Sequence, residues 1–130
     1  MMEFVTNNTV AHIDIDTMIN GGTTTGLVTL KTGAFAFIVS ADNEVRVEVA
    51  YQYEDANGVV LPTAKNGVFV IDDKILGTNY VKNVSLSINS DWDSFDNIVD
   101  RLESEVEKLA ISNFVAQFSE LVDATYITKV

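Results

Sequence analysis

The alternation of apolar and polar side chains is clearest at residues 43–53, which read NEVRVEVAYQY. The odd-numbered positions from Val45 to Tyr53 are valine or tyrosine, and most of the even-numbered ones are charged or polar. Successive side chains of a strand point to opposite faces, so this pattern predicts a half-buried strand of an antiparallel sheet. The turn that follows contains Asn57-Gly58, a pair that favours the positive φ angles of a hairpin.

Further β-prone runs lie on both sides of this strand and are bounded by glycine, asparagine or proline. The predicted strands cover residues 9–16, 27–30, 33–39, 59–61, 68–71 and 80–88. Residues 31–33 between two of these runs have the spacing and the glycine of a hairpin turn. The glycine- and threonine-rich residues 20–26 are expected to form a mobile loop.

A long amphipathic helix is predicted after the strands, beginning near Ser90, a residue suited to the N-cap. Apolar residues then recur at three- and four-residue spacing through residues 95–109 and 114–122, with Ser112-Asn113 interpreted as a bend. Residues 124–130 are β-prone and are expected to close an edge of the sheet. The order indicates a single α+β domain over residues 1–130, a mainly antiparallel β sheet packed by one long C-terminal helical segment, with a sandwich- or barrel-like curl as the alternative.

The charge of the chain argues against several classes of partner. Nineteen acidic residues against eight basic ones give a formal net charge of −11, which opposes direct binding to a nucleic acid backbone. The same charge favours a basic protein partner. The start of the chain lacks a basic and then apolar secretory signal, and its longest apolar run, Ala34 to Val39, is too short to span a membrane.

Enzymatic chemistry has little support in the residues. The chain has one histidine and no cysteine, and no Gly-x-Ser-x-Gly motif accompanies the histidine, so we expect no enzyme, no catalytic residue and no cofactor. A carboxylate pair could act as acid and base, but so many acidic residues make such a pair nonspecific. His12, Asp14 and Asp16 would share one face of a strand, where a solvated surface is favoured over a divalent-metal site.

Two sets of residues are candidates for a protein interface. The first is the predicted loop, whose residues could become ordered against a partner: Gly21, Gly22, Thr24 and Gly26. The second is an acidic stripe on the predicted helix, formed by Glu103, Glu105 and Glu107. Only Arg101 balances the acidic residues between positions 91 and 107, and a solvated helix face is the favoured interpretation over a binding stripe.

In style the chain resembles small structural proteins of tailed-phage particles. The resemblance lies in strands rich in asparagine, threonine and valine, in the hairpin text YQYEDANG at residues 51–58, and in the single proline. It implies a structural subunit that is assembled into a virion in a host cytoplasm and contacts other protein subunits or copies of itself. The alternative left open by the charge is an acidic inhibitor or immunity-type protein that occupies a basic site on a nucleic-acid enzyme.

Overall fold

The computed structural model describes residues 2–39, 45–72, 92–118, 120–121 and 124–130. The elements in chain order are β1 (Glu3–Thr6), β2 (Val10–His12), α1 (Ile15–Asn20), β3 (Thr24–Gly26), β4 (Thr29–Val39), β5 (Val45–Glu54), β6 (Gly67–Ile71), α2 (Trp92–Gln117), a 3₁₀ turn (Ala124–Tyr126) and β7 (Ile127–Lys129). Mostly antiparallel strands and one long helix make this an α+β fold, as the sequence predicts.

Five of the described strands form one sheet in the order β6-β5-β4-β1-β7, while β2 and β3 pair separately. Strand β1 is antiparallel to both neighbours, with Phe4 opposite Leu30 of β4 and Thr6 opposite Ile127 of β7. The predicted closure of a sheet edge by the end of the chain is therefore confirmed. The described strands do not close into a barrel.

The chain divides into two compact units. Unit 1 comprises Met1–Gly33, Ala50–Gly67 and Ala110–Val130, and unit 2 comprises Ala34–Val49 and Val68–Leu109. Strands β4, β5 and β6 and helix α2 each contribute residues to both units.

An aromatic cluster lies in the core of unit 1. The ring centroid of Tyr53 lies 5.2 Å from that of Phe114 and 5.5 Å from that of Phe118, both in edge-to-face arrangements. The Tyr53 hydroxyl donates a hydrogen bond to the Asn113 side-chain oxygen, and burial raises the pKa of this phenol. The predicted bend at Ser112-Asn113 is wrong, because α2 continues through both residues and Asn113 faces the cluster.

The core of unit 2 follows the predicted periodicities. Val47 and Val49 of β5 are fully buried, in agreement with the alternation that predicts this strand. Leu102 and Val106 of α2, one helical turn apart, are fully buried as well, in agreement with the predicted apolar stripe. No helix among the described residues is both long and apolar enough to cross a membrane.

The predicted hairpin at residues 31–33 is wrong, because β4 runs without interruption from Thr29 to Val39. Thr32 exchanges hydrogen bonds with Met2, whose amide donates to the threonine hydroxyl over 2.9 Å. Gly33 lies within this strand, where a Cβ would be 3.7 Å from the Ala50 carbonyl oxygen, an ordinary van der Waals distance. The Asn57-Gly58 turn is confirmed, with Gly58 at a φ of 79°. The predicted strand at residues 80–88 and the helix start near Ser90 lie outside the described residues.

Candidate functional site

A short helix replaces the second half of the first predicted strand. The alternation of residues 9–16 predicts a strand throughout, but the structure has a strand only at Val10–His12 and a helix at Ile15–Asn20. The cause is a capping box: the Thr17 amide donates to the Asp14 carboxylate over 2.8 Å, and the Asp14 amide donates to the Thr17 hydroxyl over 2.8 Å. The Thr17 amide and hydroxyl both donate to the Asp14 carboxylate, and these two bonds hold the pKa of Asp14 below its usual value.

Two glycines end α1. The Gly21 amide donates to the Thr17 carbonyl oxygen over 2.8 Å, and Gly21 and Gly22 have φ angles of 85° and 86°. A Cβ would meet no atom within 4 Å at either position, so the backbone conformation rather than space requires glycine here. The predicted loop is correspondingly shorter than expected, because residues 24–26 form β3.

The apolar side chains of α1 are turned to solvent. Ile15, Met18 and Ile19 are 47%, 52% and 72% exposed, and none of the six helix residues is buried. At 3.6 residues per turn these three side chains fall within an arc of about 100°, so they form one continuous stripe. We call this stripe the α1 apolar face.

Such a helix receives little stabilisation from the chain itself. Isolated helices shorter than about 12 residues are marginal in water, and most helices in proteins are stabilised by packing of an apolar stripe. Here the stripe is exposed, and the described stabilisation comes from the capping bonds at the two ends. Burial of the α1 apolar face against another molecule would supply the missing packing.

Helix α1 lies in the segment that connects β2 to β3. Their register places Ala11 opposite Thr25 and His12 opposite Thr24. The Ala11 amide points away from β3 and donates to the Glu120 carboxylate over 3.0 Å. Because Ala11 and Thr25 thus form a non-hydrogen-bonded pair, the Thr25 amide and carbonyl also point away from β2, toward the outer edge of β3.

His12, Asp14 and Asp16, for which the sequence favours a solvated strand face over a metal site, do not lie on one strand face. His12 is buried and its Nδ1 lies 3.0 Å from the Val10 carbonyl oxygen, whereas Asp14 caps α1 and Asp16 lies in its first turn. The prediction that all three share one strand face is wrong, because the strand ends at His12. Within the described ranges, no group of three or more histidine, cysteine, aspartate or glutamate side chains could hold a metal ion.

A charged network lies elsewhere in unit 1, on β1, β4 and β5. Lys31 Nζ is 3.1 Å from one carboxylate oxygen of the buried Glu54 and 3.8 Å from that of Glu3. The hydrogen bond to Glu54, followed by the negative charge of that residue, raises the pKa of Lys31. An ammonium group already occupies the space between these carboxylates, so the network stabilises the sheet surface.

The four predicted loop residues lie together in the segment that follows α1. Gly21 and Gly22 form the turn, and Thr24 and Gly26 belong to β3, so this set directly follows α1 in the chain. The sequence prediction misses the apolar face, because it places Ile15 in the strand at residues 9–16 and assigns Met18 and Ile19 to no element. Two signals for it exist in the sequence: the Asp14-x-x-Thr17 capping pattern and the i, i+3, i+4 spacing of Ile15, Met18 and Ile19.

The acidic residues proposed as a stripe on α2 do not share one face. Glu103 and Glu107 are one turn apart, whereas Glu105 lies on the other side of the helix and is buried. The Glu105 carboxylate lies 3.7 Å from Arg101 Nε and 3.5 Å from Lys108 Nζ. The charge of Glu105 is therefore balanced within its own helix.

Comparisons with known protein families, with curated proteins and with solved structures found no match for this chain.

Proposed function

We propose that this protein is a non-enzymatic structural or assembly module that acts through protein–protein contacts. The observation that carries the proposal is the α1 apolar face, a continuous stripe of exposed isoleucine and methionine side chains on a helix with no buried residue. Exposed apolar surface of this kind marks interaction sites, since its burial is favourable. The turn of Gly21 and Gly22 directly follows this helix in the chain.

The resemblance in style to structural proteins of tailed-phage particles extends this proposal to a subunit of a phage particle. In that setting the partners are other protein subunits of the same assembly or copies of the chain. The edge of β3 supports such a role, because the amide and carbonyl of Thr25 point away from β2 and can form hydrogen bonds with an additional strand.

The acidic inhibitor is the second candidate, and the net charge of −11 is the observation that favours it. The acidic stripe has less support as a binding surface for such an inhibitor, because Glu105 pairs with Arg101 and Lys108 of its own helix. The α1 apolar face has no role in that proposal, and for this reason we favour the assembly module.

Sedimentation of an extract from the cells that produce the protein tests the function. We expect the wild-type chain to sediment with a larger species, and a Met18→Ser/Ile19→Ser variant to sediment as the free 14.2 kDa chain. Val68→Ser is the matched control, because Val68 is 51% exposed, close to the 52% of Met18, but lies on β6. A wild-type chain that sediments alone, or identical profiles for all three proteins, would contradict the proposal.

A further inference from the structure

The segment that contains the α1 apolar face has only negative formal charges. The first thirty residues include Glu3, Asp14 and Asp16 but no lysine or arginine. The first basic side chain in the sequence, Lys31, is already bound to Glu54 and Glu3. The apolar face therefore lies in a segment that offers carboxylates and no free cation.

Two carboxylates of this segment lie at the start of α1. Asp16 is exposed and makes no ion pair with any residue that the structure describes. By helix geometry, the Asp16 side chain lies about 60° beyond Ile19, so it borders the stripe. Asp14 precedes the helix, and the hydrogen bonds that Thr17 donates to its carboxylate lower its pKa.

A second copy of the chain would fit this surface poorly. In a symmetric dimer the same patch meets itself, so Asp14 and Asp16 of both copies would gather around the buried stripe without a basic residue from the same segment. Each copy also has a formal net charge of −11. Like charges opposed at an interface are unfavourable, whereas opposite charges accelerate and orient binding.

We propose, as an extension that rests on the proposed function, that the α1 apolar face binds a segment of a different protein with an apolar stripe flanked by lysine or arginine. The apolar side chains of the partner cover Ile15, Met18 and Ile19. The flanking cations approach Asp16 and Asp14. The contact combines burial of apolar surface with charge pairs at its rim.

Three synthetic peptides test this pairing by fluorescence anisotropy with the full-length protein. The first is an amphipathic helix with leucine at i, i+3 and i+4 and lysine on both flanks. In the second peptide glutamate replaces the lysines, and in the third serine replaces the leucines. We expect the first to bind at least about tenfold more tightly than either of the others at low salt.

Protein variants locate the binding surface. Ile19→Ser is expected to weaken binding of the first peptide by about fivefold or more, and Asp16→Asn by about threefold with a smaller salt dependence. Val68→Ser, the matched control, should bind like the wild type.

Equal affinity for the lysine and glutamate peptides would overturn the proposal, as would an Ile19→Ser variant that binds normally. A wild-type dimer in light scattering that Ile19→Ser converts to a monomer would identify a second copy as the occupant instead. In that case the assembly function itself would stand, whereas failure of the sedimentation test would remove it.

Discussion

Replacement of Ile19 by alanine should leave the stability of the isolated protein almost unchanged. The side chain is 72% exposed, so folding removes only about a quarter of it from water. With about 1.5–3 kcal/mol for complete burial of such a side chain, the loss is roughly 0.4–0.8 kcal/mol. Alanine has the higher helix propensity, which returns a few tenths of a kcal/mol, so the net change should be within about 0.5 kcal/mol.

Leu30→Ala in the same unit is the contrasting substitution. Leu30 is fully buried on β4, opposite Phe4 of β1, and removal of such a side chain costs about 2–5 kcal/mol. The free energy of unfolding can be measured by urea denaturation followed by circular dichroism. With a urea dependence of about 1–2 kcal/mol/M, Leu30→Ala should lower the midpoint by about 1 M or more, and Ile19→Ala should shift it by less than about 0.5 M.

A midpoint lowered by Ile19→Ala as far as by Leu30→Ala would refute this reasoning. It would mean that Ile19 is covered within the folded chain, so that the α1 apolar face would not be available to a partner. If Ile19→Ala leaves the urea midpoint unchanged but no longer sediments with the larger species, then Ile19 acts in the contact with a partner and not in folding.

Three further substitutions probe the elements around the site. Gly21→Ala should destabilise the protein by about 1–3 kcal/mol in urea denaturation, because alanine is strained at a φ of 85° whatever the space available; a neutral effect would contradict the turn geometry. Tyr53→Phe should cost about 1–2 kcal/mol by the same assay, and in an Asn113→Ala background the cost should shrink if the two side chains share one hydrogen bond. The hydrogen bond to Glu54 raises the pKa of Lys31, so this ion pair stabilises the folded protein below the unfolded-state pKa of about 10.5. This stabilisation is lost as the pH rises through the higher folded-state pKa of Lys31. The free energy of unfolding of the wild type should therefore approach that of Lys31→Met above the folded-state pKa, and a constant difference between them would exclude the pairing as the cause.

The elements predicted correctly from the sequence are those in which one periodicity extends over many residues. Strand β5 alternates from Val45 to Tyr53 because one face is buried and the other meets solvent, and only a two-residue period satisfies both. The stripe of α2 is similarly repeated through Leu102 and Val106. In such segments local pattern and tertiary environment agree.

Shorter segments were ambiguous because two structures satisfy the same few residues. Ile13 and Ile15 alternate as in a strand, but the bonds between Asp14 and Thr17 stabilise a helix instead. The sequence places Gly33 in a turn, whereas in the structure it lies within the continuous strand β4. Sequence composition alone does not distinguish these uses of glycine.

The candidate site was predicted in part. Glycine and threonine content singled out residues next to α1, but the apolar face was missed with the helix that forms it. For the acidic stripe, the partners of Glu105 lie four residues before it and three after it, which is a helical spacing visible in the sequence. Local charge pairing was therefore predictable, whereas the exposure of Ile15, Met18 and Ile19 depends on the tertiary structure.

Thiol labelling of single-cysteine variants tests the central claim most directly, and the absence of cysteine from the chain makes each variant free of background reaction. Ile19→Cys and Val68→Cys should react with a maleimide at similar rates in the purified protein, because both side chains are exposed. In extracts of the producing cells, the account predicts that Ile19→Cys reacts at least about tenfold more slowly than in the purified protein, while Val68→Cys is unaffected, as expected for a partner that covers the α1 apolar face. Unchanged reactivity of Ile19→Cys in the extract, or equal protection of both positions, would contradict it.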